Sequence, residues 1–96
     1  MPMSTSHIKI LFNAAFRQIA GKKVITQEIN PSQTLADVLS KLAKQYGKDF
    51  NKIIDPKTKQ ISIDTVVMIN GQSVRKADTK LKDNDVIIIT VPVGGG

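Results

Sequence analysis

The chain contains no cysteine and no tryptophan, and its 96 residues include one histidine, His7, and one tyrosine. Without cysteine, the protein can form no disulfide, thiolate nucleophile, iron–sulfur cluster or cysteine zinc site. A single histidine also excludes metal clusters built from several histidines. No phosphate-binding loop is present, because the glycines of the chain do not precede a helix with the lysine that such a loop needs. We therefore predict no catalytic residue, no metal site and no intrinsically bound cofactor.

Long apolar runs are also absent, and none approaches the roughly 20 residues that cross a membrane as a helix. Residues 1–6 are too short and too polar for a signal peptide. With 41% hydrophobic and 23% charged residues, the composition is that of an ordinary globular protein. We expect a cytoplasmic protein with one domain spanning residues 1–96, in which residues 1–6 are a disordered lead-in and residues 94–96 a flexible tail.

Acidic residues are outnumbered, and the formal net charge is +6. The excess comes from twelve lysines spread along the chain, whereas Arg17 and Arg75 are the two arginines. Bidentate phosphate recognition favours arginine, and single-stranded nucleic acids favour exposed aromatic residues. Both are scarce here, so the charge favours a solvated lysine-rich surface over a nucleic-acid site. The positive field could instead attract an acidic partner.

The first third of the chain has the pattern of a hairpin. Residues 8–12 alternate in a way that places Ile8, Ile10 and Phe12 on one face of a strand. A Gly-Lys-Lys turn precedes a second, β-branched strand over residues 24–29. Between them, residues 13–20 leave two possibilities open, because their apolar side chains could extend the first strand or fold over its end.

A helix follows, and its start resembles a capping box with Thr34 as N-cap and Asp37 three residues later. Apolar residues then recur at helical spacing, which predicts one stripe facing the core: Leu35, Val38, Leu39, Leu42 and Tyr46. Gly47 is placed where a left-handed residue would end the helix. The stripe is interpreted as core rather than as a binding groove.

The second half of the chain has strand patterns separated by turns. Residues 50–54 predict a short apolar turn, residues 55–59 a surface turn and residues 60–63 a brief strand. Residues 65–70 predict a buried strand, Asn70-Gly71 a type I′ hairpin turn, and residues 72–74 its return strand.

A polar connection over residues 76–85 follows, with Leu81 as its anchor. Three carboxylates in this connection are interpreted as turn and solubility residues: Asp78, Asp83 and Asp85. Residues 86–91 form a final apolar strand that suits the centre of a sheet. The order of elements predicts an α+β fold with a mixed sheet and one main helix on one face. If the last strand lies beside the first, that pair is parallel and the fold is a β-grasp.

The end of the sequence, Pro92-Val93-Gly94-Gly95-Gly96, is the strongest functional signal. Glycines without side chains suit a thin thread that enters a narrow channel, and Pro92 stiffens the base of that thread. A terminal carboxylate in such a channel can attack the α-phosphate of ATP and form an acyl-adenylate. We therefore interpret Gly96 as the reacting residue, and Gly95, Gly94, Val93 and Pro92 as the segment that threads into a partner.

Several blocks together resemble the MoaD/ThiS family of ubiquitin-like sulfur carriers, in particular its MoaD-type branch. These are the first strand with Arg17 and Gly21, the helix start at Thr34-Leu35, residues 67–70, residues 81–86, and the Pro-Val-Gly-Gly-Gly end. The resemblance implies a β-grasp fold, activation by a MoeB-like adenylating enzyme that uses ATP, and a thiocarboxylate on Gly96. It also implies a sulfur acceptor, such as the large subunit of molybdopterin synthase.

Three positions depart from the family pattern. Asn13 and Thr90 are polar where small subunits of molybdopterin synthase often have aromatic residues that help dock the large subunit. Gly94 stands where the family commonly has Ala, Ser or Thr. A different acceptor is therefore a live alternative: tRNA thiolation, another sulfur pathway, or attachment of Gly96 to protein lysines, as in archaeal ubiquitin-like modifiers. Two alternatives from other classes are a basic β-grasp module that binds RNA and a structural subunit with a buried tail.

Overall fold

A computed structural model describes residues 6–92, and residues 1–5 and 93–96 lie outside the described part of the chain. The elements in chain order are β1 (Ser6–Phe12), α1 (Ala15–Ala20), β2 (Val24–Ile29), α2 (Leu35–Tyr46), a 3-10 helix (Lys48–Ile53), β3 (Val66–Ile69), β4 (Gln72–Ser73) and β5 (Val86–Thr90). Ser6, assigned to the lead-in from the sequence, is the first residue of β1 and pairs with Ile29.

The strands form one mixed sheet in the order β2-β1-β5-β3-β4. β5 lies between the parallel neighbour β1 and the antiparallel neighbour β3. β1 also pairs with β2 as an antiparallel hairpin. The parallel pairing of the first and last strands around a helix is the β-grasp arrangement, so the predicted fold class is confirmed.

Helix α2 begins and packs as its sequence predicts. The backbone N–H of Asp37 donates to Thr34 Oγ1 at 3.3 Å, and the backbone N–H of Thr34 donates to Asp37 Oδ2 at 2.9 Å, which completes the capping box. The apolar stripe faces the sheet, and the Tyr46 ring meets the Phe12 ring edge-on at 6.0 Å. The face of the sheet that carries Phe12 is therefore the covered face.

Aromatic rings close one end of the core. Phe50 of the 3-10 helix is fully buried, with its ring centroid 5.6 Å from Phe12 and 5.6 Å from Phe16. Edge-on and tilted pairs at this spacing add a specific attraction to the burial of their area. The apolar turn predicted over residues 50–54 is thus the anchor of the 3-10 helix.

The segment left open from the sequence folds over the end of β1 as the short helix α1. Phe16 is buried in this helix, and the chain leaves it through Gly21 in the left-handed conformation (φ 74°, ψ 13°). The N–H of Gly21 donates to the carbonyl of Arg17 at 2.8 Å. Burial of Phe16 against Phe50 explains why the chain turns back rather than extending the strand.

Two local predictions are wrong. Gly47 ends α2 with φ 127° and ψ 164°, which is an extended conformation of positive φ rather than a left-handed helical one. The predicted strand over residues 60–63 is reduced to isolated bridges, which pair Gln60 with Lys76 and Ile54 with Ile61. The N–H of Thr65 donates to the carbonyl of Ser62 at 3.1 Å, so the chain turns before a strand can continue.

The hairpin turn at Asn70-Gly71 is confirmed, since both residues have positive φ (52° and 84°). Leu81 anchors the following connection with 3% exposure. The interpretation of Asp85 as a solubility residue is wrong, because this residue is buried, with 7% exposure. Its carboxylate accepts hydrogen bonds from the Asn70 side chain and from the backbone N–H of Lys82, both at 2.8 Å. Asp85 is therefore a structural residue.

None of the helices within residues 6–92 has the length and apolar character needed to cross a membrane.

Candidate functional site at the tail end of the sheet

The predicted reactive segment begins where β5 ends. β5 stops at Thr90, and the next two residues, Val91 and Pro92, are exposed. Pro92 has no backbone N–H to give to a neighbouring strand, which suits the end of sheet pairing at this point. The residues predicted to thread and react, Val93, Gly94, Gly95 and Gly96, lie outside the described residues.

The tail end of the sheet is the end of its strands at which this segment leaves β5. β1 and β5 are parallel and both finish there. β2 and β3 run antiparallel to them, so they begin there with Val24 and Val66. The start of β2, the start of β3 and the end of β1 therefore surround the exit of the chain from β5.

A strained turn connects β1 to α1 beside this exit. The N–H of Asn13 donates to the carbonyl of Ile89 at 3.0 Å, and the N–H of Phe16 donates to the carbonyl of Asn13 at 3.2 Å. Between them, Ala14 has φ 56° and ψ −137°. This is a conformation that residues with a Cβ rarely adopt. The turn fixes the end of β1 against the last residues of β5.

The two polar departures from the family pattern are neighbours at the tail end. Phe12 pairs with Ile89 in the parallel register, and the hydrogen bond from Asn13 to Ile89 continues that ladder. Asn13 and Thr90 are thus the next residues on adjacent strands. Because side chains alternate along a strand, both lie on the face opposite Phe12.

That opposite face, the open face, carries an apolar stripe made of four residues in register across four strands: Val24, Leu11, Ile88 and Met68. Val24 is 50% exposed, and the other three are partly exposed. The sequence did not single them out, although Leu11 and Ile88 alternate with the buried residues of their strands. Only the register shows that they form one surface.

Positive charge lies beside the stripe. Lys9 is exposed on the open face, where it pairs with Thr26 on one side and Val86 on the other. Across residues 6–92, the one ion pair within 4.0 Å joins Lys52 Nζ to Asp49 Oδ1 at 3.7 Å, and both side chains are exposed. The lysines therefore mostly present their charge to solvent or to a partner.

The residues that could have suggested catalysis do not converge on a site. His7 is exposed, and its backbone N–H donates to Asp83 Oδ1 at 2.9 Å. Asp85 is committed to Asn70 and Lys82, as described above. Within residues 6–92, no three His, Cys, Asp or Glu side chains are grouped so that they could hold a metal ion.

Comparisons with known proteins agree on one family. The family model described as the ThiS family matches residues 10–96. A curated relative, small archaeal modifier protein 3 of Haloferax volcanii, is 29% identical over 92 residues, which are 93% of this chain and 98% of the relative.

Solved structures give the same result. A Haloferax volcanii protein solved in solution has a TM-score of 0.78 and 28% identity, over 96% of this chain and 88% of that one. Small archaeal modifier protein 1 of Methanosarcina acetivorans has a TM-score of 0.72 and 27% identity, over 98% and 100% of the two chains. Because the family model covers most of its residues, the chain belongs to the ThiS family of small ubiquitin-like proteins.

Proposed function

We propose that this protein is a carrier whose C-terminal Gly96 is adenylated by a partner enzyme and then converted to a thiocarboxylate. One observation above all supports the proposal: the chain leaves the central strand β5 through the exposed Val91 and Pro92. A segment leaving the middle of the sheet can be handed to a partner without disturbing any strand pairing. Glycines after it would pass through a channel too narrow for side chains.

The chemistry requires no catalytic group of this chain. A carboxylate oxygen of Gly96 attacks the α-phosphate of ATP, and pyrophosphate leaves, which gives an acyl-adenylate. A sulfur nucleophile of a donor then attacks the carbonyl carbon and AMP leaves. When the nucleophile is the outer sulfur of a persulfide, this attack gives an acyl disulfide. Two thiols of a reductant then cleave its sulfur–sulfur bond, which leaves the outer sulfur on Gly96 as a thiocarboxylate, releases the donor as a thiol and oxidises the reductant to a disulfide. The carrier itself binds no cofactor in this scheme, and the partner, a MoeB-like adenylating enzyme of the cytoplasm, binds the ATP.

The apolar stripe is the surface proposed to dock on that enzyme. It lies on the open face and reaches the tail end, so an enzyme that holds the tail also meets the stripe. Burial of Val24, Leu11, Ile88 and Met68 would supply association energy, since apolar surface contributes about 25 cal/mol per Å² removed from water. Lys9 beside the stripe suits an acidic rim on the partner.

The acceptor of the activated tail is proposed to lie outside molybdopterin synthase. Asn13 and Thr90 are adjacent polar residues on the open face, where the family resemblance leads us to expect aromatic anchors for the large synthase subunit. Truncation of buried aromatic anchors typically costs an interface most of its affinity. Conjugation of Gly96 to protein lysines is the second candidate, and it is favoured by two relatives that are named as small archaeal modifier proteins.

Mass spectrometry tests the proposal directly. The full chain is incubated with ATP, a sulfur donor, a thiol reductant and the adenylating enzyme encoded in the same genome. The expected product has one oxygen replaced by sulfur, located on the C-terminal peptide. A chain that lacks Gly95 and Gly96 is the control and is expected to remain unmodified. An unmodified full chain, or equal modification of the truncated chain, contradicts the proposal.

The same variants separate the other classes of function. Conjugation predicts a lysine-linked adduct when the activated protein is added to a lysate. An RNA-binding module predicts salt-dependent RNA binding that survives removal of the two glycines. A structural subunit predicts that the glycines of the free protein resist protease.

A further inference from the structure

The large apolar side chains that are most exposed within residues 6–92 are Ile63 (76%), Val24 (50%) and Val91 (38%). All three belong to the tail end. Val24 begins β2 and is part of the apolar stripe, and Val91 follows β5 directly. Ile63 lies outside the sheet and precedes β3 by three positions. Exposed apolar surface is thus concentrated around the exit of the chain.

Ile63 occupies a turn that holds it outward. The N–H of Thr65 donates to the carbonyl of Ser62 at 3.1 Å, and the N–H of Asp64 donates to Ser62 Oγ at 3.2 Å. Ile63 is therefore the second residue of a tight turn, a position that usually takes proline or a polar residue. Turn chemistry does not explain a β-branched apolar residue at this position.

The protein does not use Ile63 for its own packing either. A groove of about 330 Å³ beside the turn has Phe16, Ile19 and Ile53 among its lining residues. Ser62, Asp64 and Thr65 line this groove, but Ile63 between them does not. An apolar surface on which the side chain could pack is thus within reach of the same turn, and Ile63 remains exposed beside it.

The position of Ile63 relative to the exit is fixed by the register. Val66 pairs with Thr90, which sets Thr65 next to Val91. Directly paired Cα atoms lie about 5 Å apart, and two residues span at most about 7 Å, so the Cα of Ile63 is within about 12 Å of the Cα of Val91. The four residues after Pro92 reach at most about 14 Å. An active site that receives Gly96 must therefore bring the surface around its channel against the tail end.

Resting on the proposed function, we infer that Ile63 is a second anchor for the adenylating enzyme, seated in an apolar pocket beside the mouth of the channel that receives the tail. The apolar stripe contacts the enzyme on the open face, and Ile63 contacts it from the turn that precedes β3. The two contacts flank the exit and orient the tail toward the channel.

The rate of ATP–pyrophosphate exchange tests this inference at increasing concentrations of the carrier. Ile63→Ser is expected to raise the carrier concentration that gives half-maximal exchange by about tenfold or more, as for an interface anchor, with the maximal rate unchanged. Ile63→Leu keeps an apolar side chain of equal size and is expected to restore most of the affinity. Gln72→Ser, exposed at the opposite end of the sheet, is the matched control and is expected to leave exchange unchanged.

The outcomes distinguish this inference from the function on which it rests. Normal exchange by the Ile63→Ser variant overturns the anchor while leaving activation of Gly96 intact. An absence of exchange with the wild-type chain overturns both the anchor and the proposed activation of Gly96. A changed oligomeric state of Ile63→Ser in light scattering, with unchanged exchange, would assign the residue to self-association instead. The thermal unfolding midpoint of each variant is measured as a control for folding, and it is expected to stay close to that of the wild-type chain.

Discussion

The side-chain amide of Asn70 joins two segments by donating from Nδ2 to Asp85 Oδ1 at 2.8 Å, while its Oδ1 accepts from the backbone N–H of Val86 at 2.9 Å. The N–H of Asn70 also donates to the carbonyl of Val86 at 2.8 Å. Asn70 is the first residue of the β3–β4 turn, and Val86 is the first residue of β5. The pair of Asn70 and Asp85 therefore locks the hairpin onto the start of the central strand.

Substitution Asp85→Ala is expected to destabilise the protein by about 1–3 kcal/mol, because it removes the part-buried hydrogen bonds that the Asp85 carboxylate accepts from the Asn70 amide and from the N–H of Lys82. Urea unfolding followed by circular dichroism measures the free energy of unfolding. Asp78→Ala is the control, since Asp78 is exposed, and it should change that free energy by no more than about 0.5 kcal/mol. Equal effects of the two variants would contradict the role assigned to Asp85.

Substitution Ala14→Gly is expected to stabilise the protein by about 1 kcal/mol. Ala14 is exposed with φ 56° and ψ −137°, a conformation that glycine adopts without strain. The strain that glycine relieves is larger than the entropy that it adds to the unfolded chain. Ala15→Gly is the matched control because Ala15 is the exposed first residue of α1. It should destabilise by about 0.5–1 kcal/mol. Thermal unfolding of the two variants should therefore shift the midpoint in opposite directions.

Substitution Val24→Asp is expected to weaken binding to the adenylating enzyme by about tenfold, because it places a charge in the apolar stripe at a position that the partner would desolvate. Titration calorimetry with the purified enzyme measures the change. Glu28→Gln, on the same strand and face but away from the tail end, serves as the control with little expected effect. Unchanged affinity of the Val24 variant would remove the stripe from the interface.

In the tail, Gly94→Ala is expected to be thiocarboxylated within about twofold of the wild-type rate, whereas Gly95→Val should be at least about tenfold slower. The reason is steric, since a β-branched side chain widens and stiffens the thread next to the reacting carboxylate. Rates come from the mass assay described above. Equal rates for the two variants would mean that the enzyme does not enclose the tail closely.

The fold could be predicted from the sequence where local pattern and tertiary role coincide. Thr34 and Asp37 mark the start of α2 with a local hydrogen-bond motif, and Asn70-Gly71 marks a turn that requires positive φ. The alternation in β1 and the apolar run of β5 identify two strands. The crossover connection between them predicts a parallel pair if the two strands are neighbours, and the structure shows that they are.

Other features depended on contacts that sequence spacing does not contain. Ala15–Ala20 form α1 because Phe16 reaches Phe50, which is far along the chain. Asp85 is buried because Asn70 is folded against it. The apolar stripe and Ile63 became a candidate interface only through the register, which places Val24 and Ile63 at the same end of the sheet. The reactive role of the glycines could be proposed from the sequence, but the apolar surface around the exit of the chain from β5 could not.

The pairing of β1 with β5 joins Lys9 to Val86 across most of the chain. Contacts between such distant positions form late and slowly in folding, since the intervening chain must be ordered first. Leu11 and Ile88, the centre of the stripe, come from these two strands, so the proposed docking surface is assembled only when the last strand is in place. An incompletely folded or misfolded copy would have the glycines without the assembled stripe. The topology itself would thus act as a quality check that reserves activation, and the ATP it consumes, for completely folded molecules.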